Sequence, residues 1–163
     1  MIRPGRFAAT LQDGFVVFLI GMRINQPLLI HKWLPVARAM PRMLAELYRQ
    51  PELGFIHAEL WSSRTTIMVQ YWRSVGQLLA YATNKQAEHL PAWRSFNRAI
   101  GGNESVGLWH ETYVASPGTY ENVYVNMPVF GLGKAGVLEP AVGVRKSAMD
   151  RLKGAGTSPP AAE

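Results

Sequence analysis

The sequence predicts an α+β fold in which helices cover one face of a four-stranded antiparallel sheet. Three observations lead there. Four β-rich runs, Phe15 to Ile24, Phe55 to Ser62, Thr65 to Arg73 and Val106 to Ala115, stand between turn signals. Helical spacing fills the gaps after the first and third runs, while Ser63-Arg64 alone joins the second to the third as a hairpin. The order is therefore β-α-β-β-α-β, the ferredoxin-like split arrangement.

Each element has a local cause. Asp13-Gly14 turns the chain into the first strand, which is apolar on both faces, and Asn25-Gln26-Pro27 ends it. From Leu28 to Arg49, Val36, Met40, Met43, Leu44 and Leu47 recur on one side of a helix; Pro35 suits its first turn, and Pro41 predicts a kink or a second start. Pro51-Glu52-Leu53-Gly54 breaks this helix. Ser74 is placed to cap a second helix from Val75, which pauses near Asn84, resumes around Glu88 with Pro91 in its first turn, and stops at Gly101-Gly102. Residues 1–127 make one ferredoxin-like domain with an N-terminal arm. Its last part, Tyr120 to Met127, is a short strand or extended arm; beyond it lie a glycine-rich loop, a basic helix from Arg145 to Lys153 and a polar, proline-containing tail, so that 128–163 read as loop and tail.

Composition narrows the function classes. The chain has 163 residues, 48% of them hydrophobic and 17% charged, which leaves apolar surface for a partner subunit or an apolar ligand. With no cysteine, disulfides and thiolate metal sites are excluded. The net charge of +6 is scattered rather than gathered into a stripe with exposed aromatics, so no nucleic-acid partner is expected. No secretory signal is seen, and Phe15 to Ile24 is too short to span a bilayer and carries Arg23; a cytoplasmic protein with no membrane partner is expected.

Strand alternation sorts the two sheet faces. Val16, Phe18, Ile20, Met22, Ile56, Ala58, Leu60, Met68, Gln70, Trp72, Val106, Leu108 and His110 would lie under the helices. Phe15, Val17, Leu19, His57, Glu59, Trp61, Tyr71, Arg73, Trp109, Glu111 and Tyr113 would face away, towards a second subunit. A one-residue bulge would move part of a strand to the other face.

With that order in place, several phrases resemble the dimeric α+β barrel superfamily, and within it a bacterial family labelled monooxygenase or phenylaldoxime-dehydratase-like. They are Phe18-Leu19-Ile20-Gly21-Met22-Arg23-Ile24-Asn25, Gln70-Tyr71-Trp72-Arg73-Ser74, His89-Leu90-Pro91-Ala92-Trp93, Gly107-Leu108-Trp109-His110-Glu111-Thr112-Tyr113 and Tyr124-Val125-Asn126-Met127-Pro128. The resemblance implies a homodimer and an enzyme, with a pocket between sheet and helices for a small hydrophobic or aromatic molecule. In a cofactor-free monooxygenase of this kind, His89 or His110 would act as base, and Trp72, Tyr81 and Trp93 would exclude water. The alternative is a haem enzyme of the aldoxime-dehydratase type with His89 as axial ligand. A third reading is a non-catalytic ligand-binding or dimerisation module.

The residues leave these alternatives open. His89 is a base, a haem ligand or a helix-capping histidine, with Trp93 and Asn97 one and two turns along its face. Gln70 joins Trp72, Tyr81, Trp93 and Asn97 as a candidate substrate contact. His110 is a second base or a satisfied core histidine, and it cannot pair with Glu111, which points to the opposite face. His57, Glu59, Arg73 and Glu111 are expected in an ionic network at the subunit interface with Trp109 and Tyr113, and no metal site is expected there. Gly131-Leu132-Gly133-Lys134-Ala135-Gly136 spells G-x-G-x-x-G without the βαβ context of a dinucleotide site, so a flexible loop, placed as a lid, is expected instead.

Overall fold

The computed structural model of the protein describes residues 1–11, 13–84 and 104–154. Its larger sheet has β2 (Phe15–Ile24), β3 (Phe55–Trp61), β4 (Ile67–Trp72) and β5 (Val106–Ala115), antiparallel in the order β3-β4-β2-β5. With α1 (Ile30–Arg49) between β2 and β3, and α2 (Val75–Thr83) between β4 and β5, this is the ferredoxin-like order. The expected resumption of the second helix, with His89, Trp93 and Asn97, lies outside the described residues.

Register explains the faces. Val16 stands opposite Trp72 and Val114, Phe18 opposite Gln70 and Thr112, and Ile20 opposite Met68 and His110. Directly opposed residues share a face, so these rows form the helix side. Val16, Phe55 and Trp72 meet Leu47 of α1 and Leu78 and Tyr81 of α2 in one core cluster. A second cluster joins Met22 and Val106 to Trp33, Val36 and Ala37 of α1. One assignment moves: a bulge between Phe55 and His57 leaves Ile56 without an opposite residue, and Phe55, across from Trp72, takes the core position expected for Ile56.

Helix α1 runs through both prolines rather than restarting at Pro41. Pro35 and Pro41 are exposed, so the carbonyls they leave unbonded are on the wet side of the helix. In α2 the Ser74 hydroxyl accepts from the Gln77 N–H at 3.2 Å, the cap expected from its position.

A second, three-stranded sheet has the order β6-β1-β7, from β1 (Arg3–Thr10), β6 (Tyr124–Met127) and β7 (Val137–Pro140). It joins the N-terminal segment to residues on both sides of the expected 127/128 division. Where a flexible glycine-rich loop is expected, a single helical turn, α3 (Leu132–Ala135), stands with Leu132 and Gly133 buried. This layer covers part of the sheet face expected to meet a second subunit: Ala9 and Leu132 pack on Phe15 and Ala115, with Val17, Tyr71, Tyr120 and Tyr124 around them. The last helix, α4 (Ala148–Gly154), is anchored by Arg151, whose Nε donates to Glu121 at 2.6 Å and whose guanidinium also reaches the carbonyls of Arg145 and Lys146.

Candidate functional site

Among the described residues, each face of the larger sheet carries a cluster of ionisable or aromatic groups. On the helix side, His110 is exposed and its ring lies 5.7 Å from that of Phe18, centroid to centroid. The same strand exposes Leu108, at 37%, and Val114, at 67%, beside it. Glu111 faces the other way, opposite Leu19, as strand alternation requires.

Gln70, Trp72 and Tyr81 share the helix side with His110, but they are buried and bonded within the chain. Trp72 Nε1 donates to Gln70 Oε1 at 2.9 Å, Gln70 Nε2 reaches Met68 Sδ at 3.3 Å, and Tyr81 Oη donates to Glu46 at 2.7 Å. They form the floor and wall on which Phe18 rests.

The other face holds a hydrogen-bonded chain that runs over the β3 edge. Glu59 Oε1 receives His57 Nε2 at 3.1 Å, Lys134 Nζ at 3.0 Å and the Gly131 N–H at 3.2 Å. Burial pushes this carboxyl up, but Lys134, His57 and Gly131 outweigh it and hold Glu59 below its ordinary range. An ionised carboxylate only accepts, so His57 Nε2 carries the proton. The other ring nitrogen, Nδ1, lies 3.1 Å from the Tyr48 hydroxyl. Tyr48 Oη in turn accepts from the Ala58 N–H at 3.2 Å, capping the edge strand.

Beside Glu59, the Tyr71 phenol is pushed up to about 12, first by burial, then by Tyr124 and the Glu59 charge, with the Leu132 N–H acting against them. Gly131 sits where these groups converge. Its φ is +56°, and a Cβ there would meet the Tyr71 and Tyr124 hydroxyls at 3.3 and 3.4 Å. The G-x-G-x-x-G phrase thus offers its first amide to the protein's own carboxylate.

The four-membered network expected from sequence does not assemble within one chain. His57 and Glu59 lie on β3 and Glu111 on β5, three strand spacings apart, or about 14 Å. Glu111 instead accepts from Tyr113 Oη at 2.6 Å, and Arg73 is exposed with its N–H on the Gly54 carbonyl. Trp109, opposite Gly21, has a buried indole N–H with no partner among the described residues. Sequence reasoning missed Tyr48, Lys134 and Tyr124, since nothing in their local pattern points to His57 or Glu59. Among the described residues no group of three His, Asp or Glu side chains is placed to hold a metal ion.

Residues 15–132, from β2 to the first residue of α3, match the profile of the monooxygenase af470-like family. The chain belongs to that family. It is 31% identical over 137 residues to monooxygenase af470 of Aspergillus fumigatus, an alignment covering 77% of this chain and 48% of that one, so the chain spans about half the length of the curated relative it matches. In fold it is similar to SnoaB, a cofactor-independent oxygenase from Streptomyces nogalater, at 15% identity and a TM-score of 0.45 over 62% of this chain and 92% of that one. It is also similar to protein SO0527 from Shewanella oneidensis, at 13% identity and a TM-score of 0.44 over 67% and 99% of the two chains. The monooxygenase af470-like family thus agrees with the resemblance drawn from the phrases around Gly21, Trp72 and Trp109.

Proposed function

We propose that this chain is a cofactor-free, monooxygenase-like enzyme for a small hydrophobic, aromatic substrate, with His110 as its base. Family membership supports the reaction class. The observation that carries the site is His110 itself, an exposed imidazole against the Phe18 ring on a strand that also exposes Leu108 and Val114. An aromatic substrate would stack along that strip, with its acidic C–H or O–H at the imidazole.

The chemistry needs one base and dioxygen. His110 removes a proton from an activated methylene beside a phenolic ring, and the carbanion passes an electron to O₂. Recombination forms a carbon–oxygen bond, and the hydroperoxide loses water to leave a ketone. One CH₂ and one O₂ become one C=O and one H₂O, so no external reductant is consumed. A homodimer, joined through the Glu111 and Tyr113 side of the sheet, is part of this reading. Tyr113 is 53% exposed there.

The test is oxygen uptake with polycyclic phenols that carry such a methylene. His110→Ala is expected to lower kcat by 10²-fold or more, on the order of a lost general base, with the elution volume unchanged. Turnover equal to that of the unaltered protein would overturn His110 as the base. A saturable Soret band on haem titration, abolished by His89→Ala, would overturn the cofactor-free reading.

A further inference from the structure

Helix α1 has a face that stays exposed among the described residues. Its inward side, through Val36, Ala37, Leu44 and Leu47, packs in the core. At 100° per residue, the opposite side is centred on His31, Arg38, Arg42 and Arg49, and all four are exposed. None of the three arginines forms an ion pair with a described residue. The one acid of the helix, Glu46, is turned to Tyr81. Arg38, Arg42 and Arg49 thus gather part of the charge that is scattered along the sequence into a stripe about 17 Å long, with His31 two turns nearer the start of the helix.

An apolar tip stands at the N-terminal end of the helix, ahead of this stripe. Leu28 is 93% exposed and Ile30 54%. Such exposure would be trivial on a loose loop, but this turn is held from several sides. Arg64 donates to the Ile24 and Asn25 carbonyls, Asn25 Nδ2 to the Glu104 carbonyl, Trp33 Nε1 to the Pro27 carbonyl and the Leu29 N–H to the Gln26 carbonyl. The turn therefore presents two aliphatic side chains to solvent in a fixed conformation.

We propose that this face docks the protein on an anionic lipid bilayer, with Arg38, Arg42 and Arg49 at the headgroups and Leu28 and Ile30 inserted below them. Charge complementarity selects an acidic surface, at about 1 kcal/mol for each basic residue near it. The inserted aliphatic tip selects lipid over a nucleic acid, which offers a polyanion but no apolar layer. Docking of this kind leaves the protein peripheral, in keeping with the absence of any described helix long and apolar enough to cross a membrane. It is independent of the reaction assigned above.

Co-sedimentation of the full chain with phosphatidylcholine vesicles, with and without phosphatidylserine, tests it. Binding is expected only with phosphatidylserine and should weaken as salt is raised. Leu28→Ser with Ile30→Ser should lower the partition coefficient about tenfold, and Arg38→Gln or Arg42→Gln about fivefold each. These side chains are exposed, so circular dichroism should be unchanged. Equal binding to neutral vesicles, indifference to the Leu28 and Ile30 changes, or binding to duplex DNA without binding to vesicles would each overturn the proposal.

Discussion

The Glu59 carboxylate accepts a hydrogen bond from the Gly131 N–H, 72 residues along the chain, at 3.2 Å. With Lys134 and His57 on the same oxygen, it ties the glycine-rich turn to the β3 edge. The carboxyl is held below its ordinary value of 4.5, so the sign of the linkage is set. Above pH 4.5 the carboxylate is ionised both folded and unfolded, and its contribution is fully present. Below it the unfolded chain takes up the proton first, and the contribution is lost as pH falls through the lower, folded value. Urea unfolding should show stability declining with acid in that window, and Glu59→Gln should flatten this part of the profile while costing about 2 kcal/mol at neutral pH. An identical acid limb in the variant would mean that Glu59 does not clamp the turn.

Tyr71 gives the opposite limb. Burial, then Tyr124 and the charge of Glu59, push its phenol up to about 12 from an ordinary value of 10.0. A raised value for this acid favours the neutral form in the folded state, so the stability it gives is complete below pH 10 and lost as pH rises towards 12. Ultraviolet titration should show, beside the raised Tyr113 and Tyr124, a tyrosine step near pH 12 or only on unfolding, and Tyr71→Phe should remove that step.

Gly21 and Gly76 make a matched pair of glycine tests. A Cβ on Gly21 would come within 2.0 Å of the Thr66 carbonyl oxygen and 2.7 Å of Trp109 Nε1, inside the central strand. Backbone cannot yield there cheaply, so Gly21→Ala should cost about 3 kcal/mol. On Gly76, early in α2, the nearest atom would be Ser74 Oγ at 3.9 Å. Gly76→Ala should stabilise by about 0.5 kcal/mol, by restricting the unfolded chain and favouring helix. Thermal denaturation should place the two on opposite sides of the parent protein.

The larger sheet is legible in the sequence because each of its strands is long and rich in β-formers, from the Phe15 to Ile24 run to Val106 to Ala115. Ser74 likewise declares itself as a cap by hydroxyl chemistry alone. Of the smaller sheet only Tyr124–Met127 is legible, within the segment expected as a short strand or arm. Arg3–Thr10 holds Pro4, Gly5 and two alanines, and Val137–Pro140 is four residues ending in proline, so neither has the pattern of a strand until the other pairs with it. That omission is why His57 and Glu59 look like groups awaiting a second subunit. Lys134 and Gly131, which complete their bonds, arrive on the segment that reads as loop. His110 lies on the face that alternation assigns, since a strand's faces follow from period two with no knowledge of its neighbours, but it is exposed there rather than covered by a helix.

Gln70 separates a core role from a substrate role most directly. It is 5% exposed, and its Oε1 is the acceptor for the indole N–H of Trp72, itself 1% exposed. Gln70→Leu keeps volume but leaves that buried N–H without an acceptor, a cost of about 1–3 kcal/mol. Trp72→Phe removes the donor and part of the ring, and is destabilising on its own through the cavity it leaves. If the two side chains serve each other, the double variant should lose less stability than the sum of the singles, by about 1 kcal/mol in urea unfolding. KM should be unchanged in Gln70→Leu wherever the protein remains folded. A raised KM with unchanged stability would instead put the amide in contact with substrate, and the Trp72 bond would then be one it gives up on binding.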